Sequence, residues 1–223
     1  MLRSFAPMAT ALAVLAIAAC DQTDDVPEVD AADAGAADTA EAEAGADDGL
    51  GQTPPVNAVQ DLAAGPTGVA DAAVTGGDTE AFVRNAALGG MYEIQAGQIA
   101  LEKAGSPELR ELGQMLIDDH TRIGMELEQA VADAGLTLAM PTALDERRQG
   151  LIDNLMAASD TTFDAAFLHQ QEAAHLETIT LLESYESRGD VPQLVEAARA
   201  AQEPVRHHLE MIHDNLGAAA DGE

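Results

Sequence analysis

The sequence predicts an all-α protein, an antiparallel bundle of four long helices with one extra short helix between the second and the third. From residue 78 onward, apolar residues recur at three- and four-residue spacing, and the alternation typical of strands is missing. Helix start and stop signals divide this region into segments joined by short turns. The predicted bundle, residues 78–217, is long enough to bury one core.

Each predicted helix begins or ends at a local signal. Asp78 or Thr79 caps the first helix, and Ser106-Pro107 opens the second with a capping hydroxyl and a proline at the first helical position. Glycine ends several of the others. We therefore expect five helices, over about 79–105, 107–134, 143–158, 161–189 and 192–217.

The first 19 residues are typical of a secretory signal peptide, with Arg3 before a short apolar run and small residues at the end. Ile17-Ala18-Ala19-Cys20 resembles the bacterial lipobox, in which the chain is cleaved at the bond that precedes the cysteine and that cysteine becomes lipidated. The alternative is ordinary cleavage after Ala18, which leaves Cys20, the only cysteine, as an unpaired thiol. We expect a lipid anchor at Cys20 that holds the protein at the bacterial cell envelope, facing the periplasm. The sequence leaves open whether the inner or the outer membrane carries it.

Residues 20–77 are predicted to be a disordered acidic tether. No Lys, Arg or His occurs from Asp21 to Glu80, and Asp and Glu recur among small residues that cannot offset the entropy of ordering the chain. A low-affinity cation-binding role for these acids is the alternative. Residues 218–223 are predicted to be a disordered tail. The net charge of −30 excludes nucleic acid and anionic lipid surfaces as partners.

Three histidines, His120, His175 and His208, each lie within the apolar stripe of a different long helix, so we expect them to face the core. Glu93 lies on a face of the first predicted helix whose other members are all Ala or Gly, which allows a neighbouring helix to approach closely. Glu172 precedes His175 with the Glu-x-x-His spacing of carboxylate metal sites in bundles. The register of the two helical hairpins places all five residues near the middle of their helices.

These five side chains are candidate ligands for one divalent metal such as iron, zinc or copper. The alternative is a structural network in which core histidines are hydrogen-bonded to carboxylates and set the helix register. Asp119 is either an acceptor that orients the ring of His120 or a surface charge. The remaining histidines lie off the stripes and are predicted to be solvated: His169, His207 and His213.

The predicted bundle also resembles a family of exported bacterial proteins, catalogued as domain of unknown function 4142 and regarded as ferritin-like. The residues that carry this resemblance are Phe82-Val83, Ala86-Ala87, Gly90-Met91, Glu93, Asp119-His120, Phe163-Asp164, His175, Pro204 and His208-Leu209. The resemblance covers residues 78–217 and implies an envelope-located ferritin-like bundle without an established activity. Di-iron proteins of that fold have two Glu-x-x-His motifs. Ile117 and Val205 replace the glutamates before His120 and His208, so at most a mononuclear site is expected.

Two functions follow from these observations. The first is a non-enzymatic envelope lipoprotein that acts through structure or through contacts with envelope proteins. The alternative is a metal-binding ferritin-like protein with a buffering or redox role. No nucleophile elbow or phosphate-binding loop occurs, which disfavours an enzyme. The oligomeric state and the identity of any partner stay open.

Overall fold

The computed structural model describes residues 54–221, including the side chains of residues 65–218. These residues form six α-helices and no strand: α1 (Pro54–Thr75), α2 (Thr79–Lys103), α3 (Pro107–Asp133), α4 (Glu146–Ala157), α5 (Phe163–Arg188) and α6 (Pro192–Asp221). The predicted signal peptide, Cys20 and the tether up to residue 53 lie outside the described residues. Within residues 54–221, none of the helices combines the length and the apolar character needed to span a bilayer.

The all-α prediction is confirmed, and the helices α2, α3, α5 and α6 pack as a ring of four. The α2 helix contacts α3 and α5, while α6 contacts α5 and α3. The predicted start signals act as expected, because Asp78 accepts a hydrogen bond from the backbone N–H of Ala81, and Ser106 accepts one from Leu109. The short α4 helix precedes α5 and contacts α2.

The core consists of two apolar clusters with buried polar residues between them along each long helix. One cluster contains Phe82 and Tyr185, whose rings stack with centroids 4.0 Å apart. The other contains Phe163 and Phe167, which are fully buried. The residues between the clusters, here called the polar layer, are Glu93 on α2, His120 on α3, Gln171 and His175 on α5, and His208 on α6.

The structure corrects the predicted tether, because its last part forms the α1 helix, which packs mainly against α5. Buried small residues recur along α1 at helical spacing, at Gly65, Gly68 and Ala72, and the buried Gly76 follows directly after the helix. A Cβ atom added at Gly65 would lie only 2.9 Å from the Cβ of Ala173 on α5. Composition predicted disorder because these residues bring little apolar area of their own. Their smallness lets the two helix backbones approach closely, and the bundle therefore begins before residue 78.

The C-terminal end also differs from the prediction. The α6 helix continues to Asp221, so part of the predicted tail at residues 218–223 is helical. Three alanines follow Gly217, and alanine is the strongest helix former, so nothing in this stretch stops the helix. The starts of α4 and α5 lie two or three residues after the predicted ones, which is the usual uncertainty of helix ends.

Candidate metal centre

The side chains of His120, His175 and His208 converge in the middle of the bundle, as the apolar stripes predicted. One ring nitrogen from each of the three lies within 4.8 Å of the others, and all three residues are buried. The ring centroids are 5.5–5.8 Å apart. Three different helices, α3, α5 and α6, therefore bring three imidazoles together, and we call these three residues the histidine group.

Close packing of α2 on α3 positions this layer, as the small residues around Glu93 predicted. A Cβ atom added at Gly97 would lie 2.6 Å from the carbonyl oxygen of Gly113. A Cβ atom added at Gly90 would lie 4.0 Å from the carbonyl oxygen of His120. The absence of side chains at Gly97 and Gly113 thus allows the backbones of α2 and α3 to come into close contact.

The orientation of His175 is set from its own helix. Its Nδ1 lies 2.8 Å from the backbone carbonyl oxygen of Gln171, one turn earlier. A carbonyl oxygen only accepts hydrogen bonds, so Nδ1 carries the proton and donates it. In the neutral ring, Nε2 then has a free lone pair.

The orientation of His208 is set from a different helix. Its Nε2 donates to the carboxylate Oδ2 of Asp119 at 2.9 Å, and Asp119 also accepts a hydrogen bond from Arg122 at 3.0 Å. We expected Asp119 to orient His120 or to lie free on the surface, and the structure shows instead that its partner is His208. Because a carboxylate accepts only, the neutral ring of His208 has its lone pair on Nδ1.

These two lone pairs face each other. His175 Nε2 and His208 Nδ1 are 3.4 Å apart, and both protons of the neutral rings are already used on outer acceptors. His120 Nε2 is buried beside them and has no hydrogen-bond partner among the described residues. Buried nitrogen atoms without a partner are unusual in folded proteins and call for an occupant such as a proton or an ion.

The surroundings of the three rings lower the pKa of each of them. Burial lowers the pKa of His175 to about 3, with a further contribution from the nearby His208. Burial likewise holds the pKa of His120 well below its ordinary value. Burial also lowers the pKa of His208, although the hydrogen bond to Asp119 opposes this shift. Neutral imidazole is the form of histidine that binds metals.

Glu93 is buried next to the histidines but lies on the outer side of one ring. Its Oε1 is 3.7 Å from His175 Nδ1, the nitrogen that already donates to Gln171. Burial raises the pKa of the Glu93 carboxyl well above its ordinary value, while a hydrogen bond from the Gln171 side chain opposes this. Glu93 therefore lies beside the outer nitrogen of the His175 ring. Among the described residues, the ligand atoms that converge come from the three histidines.

The structure does not bring Glu172 to the histidines, contrary to the expectation from the Glu-x-x-His spacing. Its Oε1 contacts Nε2 of the exposed His213 at 3.1 Å. Residues three apart on a helix are rotated by about 60° and residues four apart by about 40°, so Gln171 is closer to the face of His175. Gln171 is fully buried in the position that we assigned to Glu172. His169, His207 and His213 are exposed, as predicted.

Sequence reasoning missed a second, partly buried polar group, which consists of Arg147, the buried Arg148 and Asp145 near the start of α4 together with Glu177 on α5. Glu177 accepts hydrogen bonds from both arginines at 2.7 Å. Arg148 also forms an ion pair with Asp145, the residue that caps α4. The only available signal was the adjacent pair of arginines in a chain with ten Lys and Arg residues, and it did not indicate the partner. We call these four residues the arginine network.

The comparisons with known proteins identify the family. The model of one family, described as a domain of unknown function (DUF4142), matches residues 64–214, which is more than half of the chain. The chain belongs to this family. The DUF4142 match begins inside α1, in agreement with the bundle that the structure describes. Searches of curated proteins and of solved structures found no significant match.

Proposed function

We propose that this DUF4142 protein binds one transition-metal ion through His120, His175 and His208. The observation that carries the proposal is the distance of 3.4 Å between His175 Nε2 and His208 Nδ1. The N–H group of each of these two rings donates to a different acceptor. Without an occupant, two lone pairs oppose each other in a buried site, which is unfavourable. A metal cation between them converts this repulsion into two bonds.

The spacing fits a metal. Two imidazole nitrogens bound to one zinc at about 2.0–2.1 Å with tetrahedral angles lie about 3.3–3.4 Å apart. The third nitrogen lies within 4.8 Å of the other two, so a small movement of His120 completes the set. Metal-bound histidines commonly donate their other N–H to a carboxylate or a backbone carbonyl, and His208 and His175 do so here.

The donor set also limits the metal. Three neutral imidazoles suit zinc, copper, iron or nickel, whereas magnesium and calcium require oxygen ligands. Because Glu93 lies on the outer side of His175 and outside the group of converging ring nitrogens, the arrangement supports a mononuclear site rather than a bridged pair of ions. Burial of all three ligands favours holding or buffering a metal over catalysis on a solvent-borne substrate.

The test uses the full-length chain with Cys20→Ser, so that no thiol competes for metal. We expect about one equivalent of bound Zn(II) or Co(II) by mass spectrometry after dialysis, and ligand-field absorption bands of Co(II) in a nitrogen environment. A variant with His120→Leu, His175→Leu and His208→Leu should bind none. The matched control, His169→Leu with His207→Leu, changes exposed histidines and should bind as the parent does.

One alternative is favoured by a specific observation. The distance of 3.4 Å also allows a proton shared between His175 and His208, with Asp119 balancing the positive charge. The bundle would then be a non-enzymatic structural or interaction module. A folded parent protein that binds none of zinc, copper, iron and nickel after reconstitution would exclude the metal site and favour this alternative.

We further propose that the protein is a lipoprotein of the bacterial cell envelope, anchored through Cys20 and facing the periplasm. The support is the signal-like segment of residues 1–19 followed by the lipobox-like run that ends at Cys20. Metabolic labelling with a palmitate analogue should mark the wild type and leave the Cys20→Ala variant unlabelled. Equal labelling of the two, or none of either, would exclude the anchor.

A further inference from the structure

A cavity of about 250 Å³ lies beside the histidine group. Its walls come from α2, α3, α5 and α6 and from the segment that follows α3, and most of them are apolar. Of the three converging histidines, His120 lines it, and this is the ring whose buried Nε2 has no partner among the described residues. His120 is therefore the member of the proposed metal site that lies at the wall of this cavity.

Methionine is strongly represented in this cavity. Met91, Met125 and Met140 line it, which is three of the eight methionines in the chain. The Met125 side chain is 60% exposed, Met91 and Met140 are half-buried, and His120 is buried. Three methionine side chains, one exposed and two half-buried, thus line the same cavity as His120.

The chemistry of this lining selects among metals. A hydrated divalent cation loses water in an apolar cavity and finds few oxygen ligands there to replace it, which is costly. Thioether sulfur is a soft ligand that favours Cu(I), and imidazole also binds copper well. A singly charged, soft ion therefore passes along these walls at a lower cost than Zn(II) or Fe(II).

The charges at the cavity also suit a cation. Glu126 and Glu128 on α3 line it and are exposed, with Glu126 paired to Arg122 at 3.0 Å. The chain as a whole has a net charge of −30. A negative surface raises the local concentration of cations and disfavours anionic ligands such as fatty acids.

We propose that this cavity is the path by which Cu(I) reaches the three histidines, with Met91, Met125 and Met140 as transient ligands along it. The inference rests on the proposed metal site and adds the identity and the route of the ion. No electron transfer is involved, because copper enters and stays as Cu(I).

The test measures loading rates on the full-length Cys20→Ser chain under anaerobic conditions. Cu(I) is supplied as its complex with a chromogenic chelator, and loss of the chelator colour reports transfer. Zn(II) loading is followed in parallel. The variant with Met91→Leu, Met125→Leu and Met140→Leu keeps side-chain volume, so the fold should be retained. We expect it to load Cu(I) at least tenfold more slowly and to load Zn(II) at the parent rate.

A second pair of variants blocks the cavity instead of changing its ligands. Gly124 lines it, and a Cβ added there would meet no described atom within 4 Å, so Gly124→Leu places a side chain in the open space. We expect slower Cu(I) loading. Gly150→Leu on α4, where the added Cβ also meets no described atom, is the control and should load normally. Met115→Leu with Met156→Leu is the methionine control outside this cavity.

The outcomes separate the two proposals. If the three-methionine variant loads Cu(I) at the parent rate, or if the methionine control is slowed equally, the proposed path is overturned. The proposed histidine site is not affected by this outcome as long as the parent still binds Zn(II). Failure of the parent chain to bind either ion overturns the metal site itself, and the path with it.

Discussion

Two polar groups of this bundle, the buried histidine group and the partly buried arginine network, differ in how their polar atoms are satisfied. In the network, Glu177 accepts from Arg147 and Arg148, and Arg148 also contacts Asp145, so each charge faces an opposite charge. In the histidine group, two ring nitrogens face each other at 3.4 Å, and the Nε2 of His120 has no partner among the described residues.

This difference shows how a structural role and a ligand-binding role can be told apart. A buried group that holds helices together gains only if its hydrogen bonds are completed within the protein. A group that binds a ligand must keep lone pairs free for it, and does so at some cost in stability. The hydrogen bonds of the arginine network are completed, whereas lone pairs in the histidine group are free. We therefore expect substitutions in the two groups to change the stability of the metal-free protein in opposite directions.

The largest expected effect is on the arginine network. Replacing Arg148 by Met leaves Asp145 without this partner and Glu177 with one arginine instead of two. Removing one member of a buried ion pair commonly costs about 3–5 kcal/mol, and we expect about 3 kcal/mol because Arg147 remains. Urea unfolding of the metal-free protein measures it.

The control for this change is Arg199→Met, which removes an exposed arginine paired with Glu186 and Glu196. Its unfolding midpoint should be unchanged, because exposed ion pairs contribute little. An Arg148→Met variant as stable as this control would show that the network does not hold α4 on α5.

The second expected effect is stabilisation by metal. Zn(II) at a free concentration a hundredfold above its dissociation constant should raise the free energy of unfolding by about 2.7 kcal/mol, because it binds the folded state alone. Urea titrations with Zn(II) and with a chelator give the difference. The same gain in a His208→Leu variant would place the zinc elsewhere in the protein.

The third prediction concerns Asp119, which positions His208 without being a ligand itself. Replacing it by Asn removes the charged acceptor and should weaken Zn(II) binding by about 10–100-fold, the usual range for partners of metal-bound histidines. The neighbouring Asp118→Asn is the matched control, since Asp118 is exposed and accepts a hydrogen bond from Gln114. Equal affinities of the two variants would contradict this role. Competition with a chromogenic chelator measures both affinities.

The smallest effect has the opposite sign to the first. In the metal-free protein, His120→Leu removes a buried nitrogen that has no hydrogen-bond partner in the described part of the chain, and we expect a gain of about 1 kcal/mol in the free energy of unfolding. The measurement is urea unfolding in the presence of a chelator. A clear loss of stability would mean that His120 completes a structural network, and the contrast with Arg148 would disappear.

Several parts of the fold could be predicted because their signals are local. The capping side chains of Asp78 and Ser106 and the three-four spacing of apolar residues determine α2 and α3 independently of distant contacts. The α1 helix was missed for the opposite reason. Its Ala- and Gly-rich stripe carries little apolar area, and its burial depends on close contact with α5.

The candidate site shows the same division. Spacing alone placed His120, His175 and His208 in the core, because position along a helix determines the face on which a side chain lies. It could not distinguish Gln171 from Glu172, whose directions differ by a fraction of a turn. Nor could it pair Asp119 with His208, since that contact joins residues 89 positions apart.

The amino-acid pattern therefore determined which side chains are buried, because helical periodicity and capping act over a few residues. Packing between the helices decided how far each helix is rotated about its axis and shifted along it. These two quantities determine which nitrogen of each ring has a hydrogen-bond partner. Hydrogen bonds depend on distances of a few tenths of an ångström, which spacing along one helix does not specify. The free lone pairs of His175 and His208, on which the proposed metal site depends, are a property of the assembled bundle.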